Sequence, residues 1–185
     1  MRHLPWTMCT ALSLIASPVV WAIPDDDKLA ERLATHAPSC GRFEQSRWLA
    51  DLETQLDSRG HFRQREDGLV WQTTAPVQDR VVLSEDNDDL PLGFQVIAPV
   101  FSGLLSGDWQ ALERHFTIEL SGELKDWRAR LVPKDVAVGE RLTQLLVSGH
   151  QQVEQVELEF ADGDRLNLTL TPAACENLDD GDPAP

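Results

Sequence analysis

Positive charge is scarce in this chain. Its 185 residues hold 16 Lys+Arg against 31 Asp+Glu, a formal net charge of -15 and a pI of about 4.5. That balance argues against a nucleic-acid partner, because neutralising phosphates takes a basic patch. It argues equally against electrostatic docking on anionic lipid. Long apolar runs are missing too: none reaches the roughly 18 residues that a membrane-spanning helix needs. There is no Gly-rich phosphate loop, no nucleophile elbow and no paired-histidine zinc motif. His36, His61, His115 and His150 are far apart, and cysteines are few. No metal-ligand set and no cofactor motif is read from them. What remains is ordinary for a globular protein, with 42% hydrophobic and 25% charged residues. The length suits one domain with a real core.

The start of the chain reads as a secretory signal over residues 1–22. Arg2 and His3 give a basic beginning, Thr7 to Val20 is largely apolar without charge, and Val20-Trp21-Ala22 offers a cleavage site. Export is the expected fate of the chain. Cys9 would leave with the signal, and Cys40 and Cys175 would remain. An even pair in an exported protein favours a disulfide. Two unpaired thiols are the alternative. Residues 23–175 then form one domain, and the acidic 176–185 reads as a disordered tail.

Asp25 to Ala37 has a helical pattern, with acids at its start, Leu29 and Leu33 four apart, and Pro38 beyond. Phe43 to Leu49, Gly60 to Arg65, Leu69 to Thr74 and Arg80 to Ser84 read as strands, with a turn at Asp67-Gly68. A loop follows at Asn87 to Pro91. Phe94 to Leu105 is apolar and uncharged, and Trp109 to His115 suggests a short helix behind Asp108. Four later segments alternate with period two: Phe116 to Ser121, Asp126 to Leu131, Val156 to Phe160 and Leu166 to Thr171. Such alternation means an antiparallel sheet with one apolar and one wet face. Pro133 to Arg141 connects two of them and has room for a helical turn. Acid groups at Asp86 to Asp89 and at Asp162/Asp164 lack calcium-loop spacing and read as solvated turns.

One ordered set of residues goes further. Phe43 and Gln45 are followed by Gly60, Phe62, Arg65, Trp71 and Pro76, with the arginine six residues before the tryptophan. Later come Gly107-Asp108-Trp109 ahead of Phe116, then Leu131-Val132-Pro133-Lys134, then Asp162-Gly163-Asp164 leading into an alternating strand. From about Leu29 to Pro172 this order resembles the periplasmic outer-membrane lipoprotein carriers, the LolA-like family. The chain departs from that pattern at Glu66, where the family has proline, and at the loop Glu85 to Leu92, where an aromatic strand is usual.

The resemblance implies an α+β fold. A strongly curved antiparallel sheet would form a half-open, incomplete β-barrel with helices covering its concave apolar face. It implies a carrier of lipid acyl chains, of lipoprotein or other acylated cargo, and not an enzyme. Trp48, Phe62, Trp71, Leu83, Trp127 and Leu131 are the expected cavity residues, with Phe101 and Leu105 on the lid. By the same resemblance Arg65 bonds lid backbone and keeps the empty cavity shut; otherwise it is a surface arginine facing Glu66 or Asp67. Partners would be the cargo, an inner-membrane donor and an outer-membrane acceptor, with the carrier a monomer. Two other classes stay open: a non-catalytic envelope adaptor that binds protein only, and an enzyme using carboxylate pairs on the sheet.

Overall fold

The computed structural model describes residues 25–66, 68–84 and 100–178, apart from the side chain of Ala137. The segment 1–22, the loop at 87–91, residues 94–99 of the lid stretch and the end of the chain from 179 lie outside these residues.

Helix α1 (Asp26–Thr35) starts where the side chain of Asp25 accepts from the Lys28 amide at 3.4 Å, and it buries Leu29 and Leu33. Strands β1 (Cys40–Leu49), β2 (Thr54–Arg65), β3 (Gly68–Ala75) and β4 (Asp79–Leu83) then form a meander. Helical backbone at residues 100–106, here α2, is followed by α3 (Trp109–His115). Asp108 caps α3 by accepting from the Ala111 amide at 2.9 Å. A second meander comprises β5 (Phe116–Glu123), β6 (Asp126–Pro133), the turn α4 (Val136–Gly139), β7 (Leu142–Gly149), β8 (Val153–Phe160) and β9 (Arg165–Pro172). A 3-10 turn, Cys175–Asn177, follows.

All nine strands belong to one antiparallel sheet in the order β4-β3-β2-β1-β9-β8-β7-β6-β5. The two meanders join where β9 returns to pair with β1, Gly41 opposite Pro172 through Trp48 opposite Arg165. Strands β4 and β5 are not paired to each other, so the sheet is open. The α+β class and the open antiparallel sheet agree with the sequence reading.

Strand alternation sorts side chains onto two faces. On one face Leu83, Leu69, Trp71, Phe62, Phe43, Leu170, Leu168, Val156, Leu158, Val147, Leu145, Ala129, Leu131 and Phe116 are all buried. They form one cluster with Leu29 and Leu33 of α1, with Val100, Phe101, Leu104 and Leu105 of α2, and with Trp109 and Leu112 of α3. The helices pack closely on one another. Gly107, at φ +74°, turns the chain between α2 and α3, and a Cβ there would lie 2.5 Å from the Ala34 nitrogen of α1. Left-handed backbone and that close approach both require glycine.

Two features depart from the sequence reading. Strand β7 gives no clean period of two, because Leu145, Leu146 and Val147 are consecutive and a bulge falls between Leu142 and Gln144. The tail expected from residue 176 is ordered through Leu178, which is buried.

Candidate functional site

The apolar face gathers most of the residues expected to line a cavity. In the β1–β4 part of the sheet it is built of rings. Gly41 lies opposite Phe62 and Phe43 opposite Gly60. A Cβ at Gly41 would sit 2.5 Å from the Phe62 ring, and one at Gly60 would sit 2.7 Å from the Phe43 ring. Each glycine leaves room for a phenylalanine to lie flat over the neighbouring strand. Trp71 stacks on both rings, with centroids 4.0 Å from Phe43 and 6.2 Å from Phe62, and it meets Phe101 of α2 at 5.6 Å. Offset and tilted rings at these distances attract beyond their buried area.

At the other side Trp127 of β6 is fully buried and meets Trp109 of α3 edge to face at 6.3 Å. Its Nε1 donates to the His150 carbonyl at 3.1 Å. From α1, the Arg32 guanidinium donates to the Leu124 carbonyl in the β5–β6 turn at 2.7 Å. The helices are thus fastened to β3 through Phe101 and to the β5–β6 hairpin through Arg32 and Trp109.

Seven of the expected cavity residues meet in this one cluster: Phe62, Trp71, Leu83, Phe101, Leu105, Trp127 and Leu131. Two do not. Trp48 pairs with Gln55 and Arg165 and has the opposite parity to Phe43, which puts it, half-buried, on the polar face. Arg65 is exposed and lies opposite Gly68, on the face of His61 and Arg63, away from Phe62. It is therefore not an inner-face residue, and Arg63 has the same parity. The bonded helix arginine is Arg32. Its signal in the sequence was only a cation near the end of α1, which the helix dipole alone would explain.

Among the described residues there is a cavity of about 550 Å³ and another of about 600 Å³. Residues of β1, β2 and β9, with Ala75 and Pro76, line the first, and residues of β5 to β8 line the second. Among the described residues no group of His, Cys, Asp and Glu is arranged to hold a metal ion. No helix among them is long and apolar enough to cross a membrane.

The Cys40–Cys175 disulfide is present, with Cα atoms 5.3 Å apart. It folds residues 173–178 back against the polar face. There Arg63 donates to the Cys175 carbonyl at 3.0 Å and Arg42 to the Asn177 carbonyl at 3.2 Å. At the opposite end of β1, Asp164 is 8% exposed and accepts from the Ala50 amide at 2.9 Å and from Arg47 at 2.8 Å. The Ala50 amide, and next Arg47, hold its carboxyl below the ordinary value.

A family model described as outer membrane lipoprotein carrier protein LolA-like matches residues 94–183. Over those residues the chain is similar to the LolA-like carriers. Among solved structures, a LolA superfamily protein from Nitrosomonas europaea is 9% identical, covering 78% of this chain and 89% of its own, with a TM-score of 0.36. A domain described as outer membrane lipoprotein-sorting, from Vibrio parahaemolyticus, is 11% identical, covering 78% and 88%, with a TM-score of 0.31. At such scores neither likeness carries an inference. No curated protein matches the chain. The LolA-like match spans α2 to β9 and the residues after it, so the family link rests on the second meander and the helices before it.

Proposed function

We propose that the protein is a periplasmic carrier that takes acyl chains of lipoprotein or other lipid cargo onto the apolar sheet face, beneath the α1–α3 layer, and moves them towards the outer membrane. The observation that carries this reading is the Trp71–Phe101 contact within a single apolar cluster shared by the sheet and the helices. A face with that much apolar area is stable only when covered, and helix and acyl chain are interchangeable covers. Phe62, Trp71, Leu83, Phe101, Leu105, Trp127 and Leu131 would meet the cargo. Trp48 and Arg65 drop out, because they lie on the other face. The described side chains fill the apolar face, so uptake requires α2 to lift from Trp71. The LolA-like match supports a carrier and not a catalyst. Donor and acceptor proteins would sit at the inner and outer membranes.

Lipid extraction and mass spectrometry of protein purified from the periplasm test the proposal, together with titration of a fatty acid against tryptophan emission. Saturable uptake and co-purifying acyl lipid are expected. Neither appearing would leave the adaptor reading, which the packed state of the apolar face favours.

A further inference from the structure

Trp48 has no part in the apolar cluster, and its surroundings are unlike those of the other described tryptophans. On the polar face it stands between Gln55 of β2 and Arg165 of β9. The next row along these strands is Ser46, Asp57 and Asn167, and the one after holds Glu44, Arg59 and Thr169. Rows two residues apart are separated by about 7 Å, within reach of an indole. Gln55 Nε2 donates to Asp57 Oδ1 at 2.9 Å, joining the tryptophan's row to the next. These six residues, with Ala75 and Pro76 at one end, line the cavity of about 550 Å³.

The geometry points to a second binding site on the polar face, one that takes a neutral oligosaccharide. Four features argue for that class. The chain as a whole is strongly acidic, but the cavity offers Arg59 beside Glu44 and Asp57, so it selects neither a polyanion nor a polycation. Glu44 and Arg59 are cross-strand partners, yet neither is in an ion pair among the described residues. The guanidinium fork can bind two adjacent hydroxyl oxygens, and the carboxylates, Ser46, Asn167 and Thr169 accept from hydroxyls. Strands β1, β2 and β9 are interior to the sheet, so the site has no free strand edge to offer an extended peptide and must bind through side chains. Pro76 lines the cavity at one end, and Trp48 stands one row beyond the lining residues at the other, within an indole's reach of it; flat apolar surfaces so placed suit the C–H faces of a sugar ring while its hydroxyls meet the polar floor.

Calorimetric titration of the signal-free, oxidised protein with cellohexaose and with the hexamer of β-1,4-linked N-acetylglucosamine tests this. Saturable binding of at least one is expected. Trp48→Ala and Glu44→Gln should each weaken it at least tenfold, and Trp48→Phe by less than fivefold. Acyl uptake by Trp48→Ala should match wild type, which separates this site from the carrier proposal. Absence of saturable binding to both sugars overturns the inference. So does binding that is unchanged in both Trp48→Ala and Glu44→Gln at matched folded fraction.

Discussion

In strands β1 to β4 the apolar face is aromatic: Phe43, Phe62 and Trp71 stack on one another and on Phe101 of α2. In β6 to β9 it is mostly aliphatic, with Leu131, Leu145, Val147, Val156, Leu158 and Leu168 at or below 1% exposure around Trp127, and Phe160 partly buried at the end of β8. Branched side chains interdigitate and lose their contacts outright when a neighbour leaves. Flat rings present a continuous apolar surface on which an acyl chain can take the place of the Phe101 ring. If the protein carries acyl chains as proposed, the aromatic wing is where it should open, and the aliphatic wing is the frame it opens against. Each of the following measurements loads one wing or the seam between them.

The seam bears the largest expected effect. The disulfide spans 135 residues and staples β1 beside its β9 partner. On the loop-entropy model, Cys40→Ser with Cys175→Ser costs about 5 kcal/mol. Urea unfolding of the double variant and wild type measures it. A loss below about 1 kcal/mol would mean that Arg42, Arg63 and the strand pairing hold the seam unaided.

Within the wings, Trp127→Ala should cost about 3–5 kcal/mol, because a fully buried ring and its bond to the His150 carbonyl go together. Trp71→Ala should cost less and speed acyl uptake, since it removes the ring that holds Phe101. Equal stability losses, with uptake unchanged in Trp71→Ala, would erase the distinction between frame and opening wing.

The helix layer has a fastening of its own to the frame. Arg32→Met keeps the apolar stem but loses the bond to the Leu124 carbonyl, worth about 1.5–3 kcal/mol for a charged donor. Faster hydrogen exchange in α1 is expected, with β7 and β8 unchanged. Uniform acceleration of all three would show global destabilisation and no local fastening.

How far the sequence revealed this arrangement differs between the wings. The alternation in Phe116 to Ser121, Asp126 to Leu131, Val156 to Phe160 and Leu166 to Thr171 identified β5, β6, β8 and β9, because each buries one face and wets the other. Strand β7 escaped because it carries apolar residues on both faces and a bulge interrupts its period. Asp25 and Asp108 announced their helices as caps. The candidate site was legible as residue types but not as faces. Seven of its nine members share the cluster, yet parity counted from Phe43 and Phe62 sends Trp48 and Arg65 to the other side. A motif spacing orders residues along the chain; only the register says which face each occupies.

Asp164 ties the β8–β9 turn to the end of β1, and its effect depends on pH. Its folded pKa lies below the ordinary 3.8, through the Ala50 amide and Arg47. The stabilisation is therefore complete above the unfolded value and is lost as pH falls through the folded one. Asp164→Asn should cost about 1 kcal/mol at pH 7, because its partner Arg47 is half exposed. The gap between variant and wild type should shrink below about pH 4. A gap that stays constant down to pH 2 would assign the loss to packing of the turn instead.

The smallest expected effect is that of Arg65→Leu. Were Arg65 a latch beneath the helices, its removal would free lid carbonyls, slow cargo release and expose residues 100–106 to protease. Register opposes this. Arg65 pairs with Gly68, shares parity with His61 and Arg63, and is exposed, whereas Phe62, three residues earlier, is fully buried on the other face. Reaching the helix layer would require the side chain to pass through its own strand. Exposed substitutions of this kind shift stability by no more than about 0.5 kcal/mol. Acyl dissociation and cleavage within residues 100–106 should match wild type, while Arg32→Met changes at least the second. A slowed release in Arg65→Leu at matched folded fraction would mean that the β2 register slips by one residue when cargo binds. That slip would bring Arg65 to the apolar face and carry Phe62 off it, so the same experiment should then show Phe62 becoming exposed.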